Sequence, residues 1–361
     1  MRLFATGILF FLCFLSLNAQ PILRISPEEL EYRDVFHRLQ NAYFKNIGNQ
    51  PLVIDSIYYT HNDFYYLRFD RNWRYPLTIL PGDSIMMDCI LSGYLNYTLE
   101  DVLDTLYIYN NGTNPYEFLK IKIDYYEDNF YSGFLQGNVS SGGSPVANAD
   151  IYFLYGGNFI IARTTSDANG NYSAELPVGN YSVAAVRDSF YTTFYDQQYD
   201  PLNAAQVTVD TNGYTTANLT LVRKTPTVNS ISGSIFDSMA VYPLKRGIVI
   251  VRNGTHTPQK VVPEKLDSPA VNAAYTAFVN DDGTYNIDDI IDPGYYFVQS
   301  FSDYFVPTYY DSTGNYPSFW QNADSIYIGS PVTNADIYMP RDSSIGGGVI
   351  TGTVGITGNR D

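Results

Sequence analysis

The chain has 361 residues, a formal net charge of −16, and 34 Tyr and 21 Phe beside many Gly and Pro residues. Aromatic side chains set among turn-formers exclude a helical protein, and the acidity excludes a nucleic-acid partner, which needs clustered Lys and Arg. Only Cys13 and Cys89 are present, so if an N-terminal leader carrying Cys13 is removed no intrachain disulfide can form, and stability must come from apolar burial.

In chain order, the first element is export. Met1-Arg2 supplies a positive start, and an apolar run from Leu3 through Leu17 leads to Leu17-Asn18-Ala19 before Gln20, the order of a cleavable signal peptide over residues 1–19. The run is shorter than the ~20 residues of a spanning helix. A mature chain starting at Gln20, without a membrane span, and a secreted or cell-surface location are therefore expected. Over 20–128 the signals are short strands and turns. Ile85, Met87, Cys89 and Leu91 alternate with Met86, Asp88, Ile90 and Ser92, which puts the Cys89 thiol on an apolar strand face as an inert group rather than a nucleophile. Asn110-Asn111-Gly112 between two strand-like runs predicts a hairpin. Asn46-Ile47-Gly48-Asn49-Gln50-Pro51-Leu52 and Leu80-Pro81-Gly82-Asp83-Ser84 are turns at sandwich spacing, and this region resembles immunoglobulin-like domains of bacterial surface proteins.

The next two regions repeat one another. Gly137-Asn138-Val139 recurs as Gly233-Ser234-Ile235, Asn169-Gly170-Asn171-Tyr172 as Asp282-Gly283-Thr284-Tyr285, and Pro177-Val178-Gly179-Asn180-Tyr181 as Asp292-Pro293-Gly294-Tyr295-Tyr296. Phe194-Tyr195-Asp196 then matches Tyr309-Tyr310-Asp311, and the growing offset places an insertion around Gly254 to Ala274 of the second copy. These blocks resemble the carboxypeptidase regulatory-like module, a transthyretin-like sandwich, over 133–223 and 229–340; the second copy departs by placing Gly247 where the first has Ala149. Residues 341–361 combine a Gly-rich linker with Val349-Ile350-Thr351-Gly352-Thr353-Val354, which reads as the first strand of a third copy, so the chain is expected to be part of a longer protein. The fold class expected is all-β, with three tandem β-sandwich domains after a signal peptide.

The search for chemistry yields no catalytic residues. His37, His61 and His256 lie far apart without metal-ligand spacing, and no Gly-x-Ser-x-Gly elbow accompanies a Ser-His-Asp set. The pairs Glu28-Glu29, Asp281-Asp282 and Asp288-Asp289 sit in turn-rich contexts, and neighbours on a strand point to opposite faces. Asp167-x-Asn169-x-Asn171 begins like a calcium loop, but Tyr172 stands at the glycine position and Val178 at that of the bidentate Glu; a hairpin explains it better, leaving calcium as the one cofactor to look for. Binding candidates are aromatic: Trp320 with Tyr309, Tyr310 and Asp311 in the second copy, and Phe194, Tyr195 and Asp196 in the first, where a ring stacks on a sugar and the Asp accepts from its hydroxyls. The expected role is a non-catalytic structural and adhesive scaffold of rigid modules in a row, partnered by a polysaccharide or a cell-surface component. The alternative is a carbohydrate-binding accessory region of a longer secreted hydrolase.

Overall fold

The computed structural model describes residues 20–33, 37–59, 65–69, 75–91, 102–123, 131–239, 243–254 and 274–342. The signal peptide, His61, His256, most of the insertion and the third-copy strand lie outside the described residues.

The first sandwich is built from β1 (Leu23–Ser26), β2 (Glu29–Tyr32), β3 (Leu39–Asn46), β4 (Leu52–Tyr58), β5 (Tyr65–Phe69), β6 (Leu77–Ile79), β7 (Ser84–Leu91), β8 (Val102–Asn110) and β9 (Tyr116–Ile123). One sheet runs β1-β3-β7-β5 and the other β2-β9-β8-β4-β6. Between them lie Phe44, Leu52, Ile54, Met87, Cys89, Leu106, Ile108 and Leu119. The predicted hairpin forms, pairing Tyr109 with Tyr116 across the ladder, and the Asn110 side chain closes its turn by accepting from the Gly112 N–H at 2.7 Å. Cys89 is fully buried, which pushes its thiol up to about 12. The alternation along β7 is only half the story, because Asp88 and Ile90 on its other face are buried too. Asp88 meets Arg68 at 2.6 Å, and that guanidinium lies 5.4 Å from the ring of Phe305 in the third sandwich. Another module covers this face.

The second sandwich holds β10 (Ser132–Ser141), β11 (Ser144–Pro145), β12 (Asp150–Tyr155), β13 (Phe159–Thr165), β14 (Asn171–Pro177), β15 (Gly179–Val186), β16 (Thr193–Phe194), β17 (Val207–Val209), β18 (Tyr214–Thr216) and β19 (Leu219–Thr220). The third holds β20 (Ser230–Asp237), β21 (Ile248–Asn253), β22 (Ala274–Phe278), β23 (Thr284–Ile287), β24 (Gly294–Phe301), β25 (Thr308–Tyr309), β26 (Ile326–Ile328), β27 (Pro331–Val332) and β28 (Ile337–Met339). Their main sheets match strand for strand: β13-β12-β15-β16 with β17 beside β15, and β22-β21-β24-β25 with β26 beside β24. The insertion separates β21 from β22, where the first copy has only a short turn after β12.

The repeated motifs have local causes. A Cβ on Gly137 would stand 1.9 Å from the Ala217 carbonyl oxygen, and one on Gly233 2.4 Å from that of Ala335, so both first strands need glycine to approach the returning chain. Tyr172 and Tyr285 donate their hydroxyls to those same carbonyls of Ala217 and Ala335. Tyr181 donates to Pro177 O at 2.8 Å and Tyr296 to Asp292 O at 2.6 Å, each ring fixing the bend before its own strand. Gly247 replaces Ala149 because a Cβ there would lie 2.6 Å from Phe301 O and 2.7 Å from Ile235 Cδ1.

Candidate functional site

The aromatic segments occupy equivalent places, β16 and β25 with the loops that follow. Phe194 is fully buried and packs with Tyr152, Leu154, Ile248 and Phe301, so its ring faces the third sandwich and offers no open plate. Tyr195 is half-buried against the core of its own module. Asp196 is exposed, at a φ of 61°. In the second copy Tyr309 and Tyr310 are half-buried, and burial raises the phenol of each. The Asp311 carboxylate accepts from the Thr313 hydroxyl and from the Thr313 and Asn315 N–H groups, bonds that hold it below the usual carboxylate range. Trp320 sits on a short 3-10 turn, Trp320–Asn322, half-exposed and edge-on to Phe297 at 6.1 Å. The structure therefore keeps Tyr309, Tyr310 and Asp311 on one edge of the third sandwich, while Phe194 is withdrawn into an interface. Phe319, at 69% exposure, and the Tyr295–Tyr327 pair, with ring centroids 5.2 Å apart, are aromatic surface that the motifs did not mark.

The acidic turns serve the backbone. Asp167 accepts from the N–H groups of Asn169 and Asn171, both at 2.8 Å, while Asp282 takes the same part toward Thr284. Asp288 pairs with Lys224, and Asp289 accepts from the Thr227 N–H at 2.9 Å. Among the described residues no group of three or more His, Cys, Asp or Glu is placed to hold a metal ion.

What the structure assembles instead is an interface. The main sheets of the two repeats meet through Tyr152, Leu154, Ile160, Ala184 and Phe194 on one side and Ile248, Ile250, Phe278 and Phe301 on the other. Tyr152 and Phe278 stack with centroids 3.8 Å apart and planes within 9°. Polar ties surround this apolar centre: Arg252 bridges Asp200 through two hydrogen bonds of 2.7 and 3.1 Å, Arg246 donates to Ile160 O at 2.6 Å, and Thr276 donates to Tyr199 O at 2.8 Å.

The first sandwich joins the same body. Arg38, 1% exposed, donates to Ile161 O in the second sandwich at 3.1 Å and lies over Phe159 at 4.9 Å. Its other guanidinium nitrogen is 3.7 Å from Asp303 in the third sandwich, and its backbone N–H donates to the Tyr304 hydroxyl at 2.9 Å. Arg341, paired with Asp237 at 2.9 Å, donates to the Phe69 carbonyl. Residues 302–306, between β24 and β25, thus touch both other modules. Modules strung in a row were the expectation; the contacts instead close them around a common junction.

Beside the repeat interface lies a cleft of about 520 Å³, lined among others by Asp150, Arg187, Tyr191, Tyr199, Lys224 and the whole of β22. It belongs to neither module alone, so no single repeat motif announces it.

The folds and this interface define a multi-sandwich protein whose modules are braced against one another. Residues 135–222, the first repeat, match the carboxypeptidase regulatory-like domain family. The second repeat has the same strand order in its main sheet, so the chain carries two copies of one sandwich behind a different, two-sheet sandwich. No curated protein matches the chain in sequence. Among solved structures, the Bacillus anthracis TIE protein shares 10% identity over 89% of this chain and 58% of its own, with a TM-score of 0.20. The major pilin subunit BcpA of Bacillus cereus shares 11% over 56% of this chain and 70% of its own, at 0.23. The shaft pilin spaA of Lactobacillus rhamnosus GG shares 11% over 62% of this chain and 100% of its own, at 0.20.

Proposed function

We propose that this protein is a non-catalytic scaffold, exported to the cell surface or the medium, that presents a rigid multi-sandwich body. The observation that carries the reading is the three-way junction at Arg38, Phe159 and Asp303–Tyr304. A flexible string of binding modules has no use for a buried arginine that ties all three together, whereas a structural element that must keep its shape does. The export signal read in residues 1–19 supports the location, and the structural use of the acidic turns supports the absence of catalysis. The test is protease treatment of intact cells that make the protein, followed by detection of the chain. Removal of the chain while a cytoplasmic marker stays intact, or its recovery in the medium, supports the reading; a chain retained with the cytoplasmic marker sinks it.

A further inference from the structure

The wall of the cleft formed by β22 is a sheet edge. In the ladder order β22-β21-β24-β25, β22 pairs with β21 alone among the described residues. The Val279 N–H donates to Gly247 O at 2.9 Å, which makes those two residues a hydrogen-bonded pair. Antiparallel pairs alternate between bonded and non-bonded, and the register matches Ala277 with Val249 and Tyr275 with Val251. Residues 275 and 277 therefore direct their amides to β21. Ala274, Thr276 and Phe278 direct theirs away from it, along the cleft that all five strand residues line. These three are 8%, 6% and 9% exposed, yet their N–H and C=O groups make no hydrogen bond among the described residues. A row of unpaired backbone groups facing a cleft at the two-residue repeat of a strand is complementary to the backbone of another strand.

We propose that the cleft binds a short extended peptide, which adds to the main sheet of the third sandwich as a strand beside β22. A cavity of about 520 Å³ accommodates a few residues. Tyr191 and Tyr199 of the second sandwich line the cleft with β22, so a bound peptide contacts both repeats. The side-chain preference comes from Arg187. It lines the same cleft and is half-buried, and unlike Lys224, which is paired with Asp288, and Asp150, which is paired with Arg163 at 3.2 Å, it has no ion pair or side-chain hydrogen bond among the described residues. Its neighbour Asp188 is exposed at the rim. The peptide accordingly carries an acidic side chain that meets Arg187.

The probe is a positional-scanning library of acetylated, amidated pentapeptides tested against the whole protein. The expected result is a position at which Asp or Glu binds at least ten-fold better than Ala, with that preference lost in Arg187→Ala. N-methylating the amides on one edge of the selected pentapeptide abolishes binding, while methylating the alternate amides does not. Thr276→Pro, which removes an outward N–H without touching the ladder to β21, loses binding that Thr276→Ser retains. As a check independent of any variant, the peptide slows hydrogen exchange at the amides of Thr276 and Phe278. The proposal is overturned if no pentapeptide binds, if methylation on either edge is without effect, or if exchange at Thr276 and Phe278 is unchanged when peptide is bound.

Discussion

At the residue scale, two side chains show how local sequence encodes local structure. Gly137 and Tyr181 were legible because their reasons are close at hand in the repeat: a glycine that lets one strand meet the returning chain, and a tyrosine that reaches a carbonyl four residues back. Adding a methyl at Gly137 forces the Ala217 carbonyl to move, and overpacking of that kind costs about 1–3 kcal/mol. Gly137→Ala is expected to lower the unfolding midpoint of the second sandwich, measured by thermal or denaturant melting. Cys89 was legible from alternation, and its raised thiol has a direct consequence. With an ionisation near 12 and no exposed surface, it should resist thiol reagents at pH 8 in the native protein and react on unfolding; a labelling time course in increasing denaturant checks this. Phe194 was not legible as an interface residue, since an aromatic beside Tyr and Asp reads equally well as a binding surface when the second module is out of view.

At the scale of elements, alternation along a single strand misses a face that another module covers. Ile151 and Phe153 alternate with Asp150 and Tyr152 as a half-buried strand, but Tyr152 and Leu154 are buried as well because the other repeat covers the outer face of β12. The second copy did carry the signal: Ile248-Val249-Ile250-Val251 is an unbroken apolar run, the pattern of a strand covered on both sides. The segment from Ser302 to Val306 shows the same thing more sharply, since neither its spacing nor its composition announces that Asp303, Tyr304 and Phe305 reach two other modules. Asp303 also makes a pH prediction. Only 12% of its side chain is exposed, and burial raises its carboxyl against the pull of Arg246 and Arg38; burial also raises the neighbouring Tyr304 phenol. A carboxyl that ionises later in the folded than in the unfolded chain binds the extra proton when folded, so its contribution to stability declines as pH rises above the ordinary aspartate value. Asp303→Asn removes that decline. The melting temperature of wild type minus that of the variant should therefore fall between about pH 4 and the raised ionisation of Asp303, and a difference independent of pH contradicts the assignment.

At the scale of the whole molecule, the sequence made the three sandwiches visible and left their arrangement hidden. Repeats, turns and apolar alternation are properties of one module and recur within it. The junction depends on lone residues from different modules, such as Arg38, Phe159 and Asp303, each unremarkable in its own segment. The brace predicts coupling. Phe305→Ser removes the ring under the Arg68 guanidinium and should separate unfolding of the first sandwich from that of the repeats, seen in calorimetry as an added low-temperature transition. The most direct measurement is small-angle X-ray scattering of the intact protein in dilute solution. Modules closed around the junction predict a radius of gyration near the ~20 Å of a single compact body of this length. A value of about 30 Å or more, as three ~100-residue modules strung end to end would give, contradicts the braced arrangement.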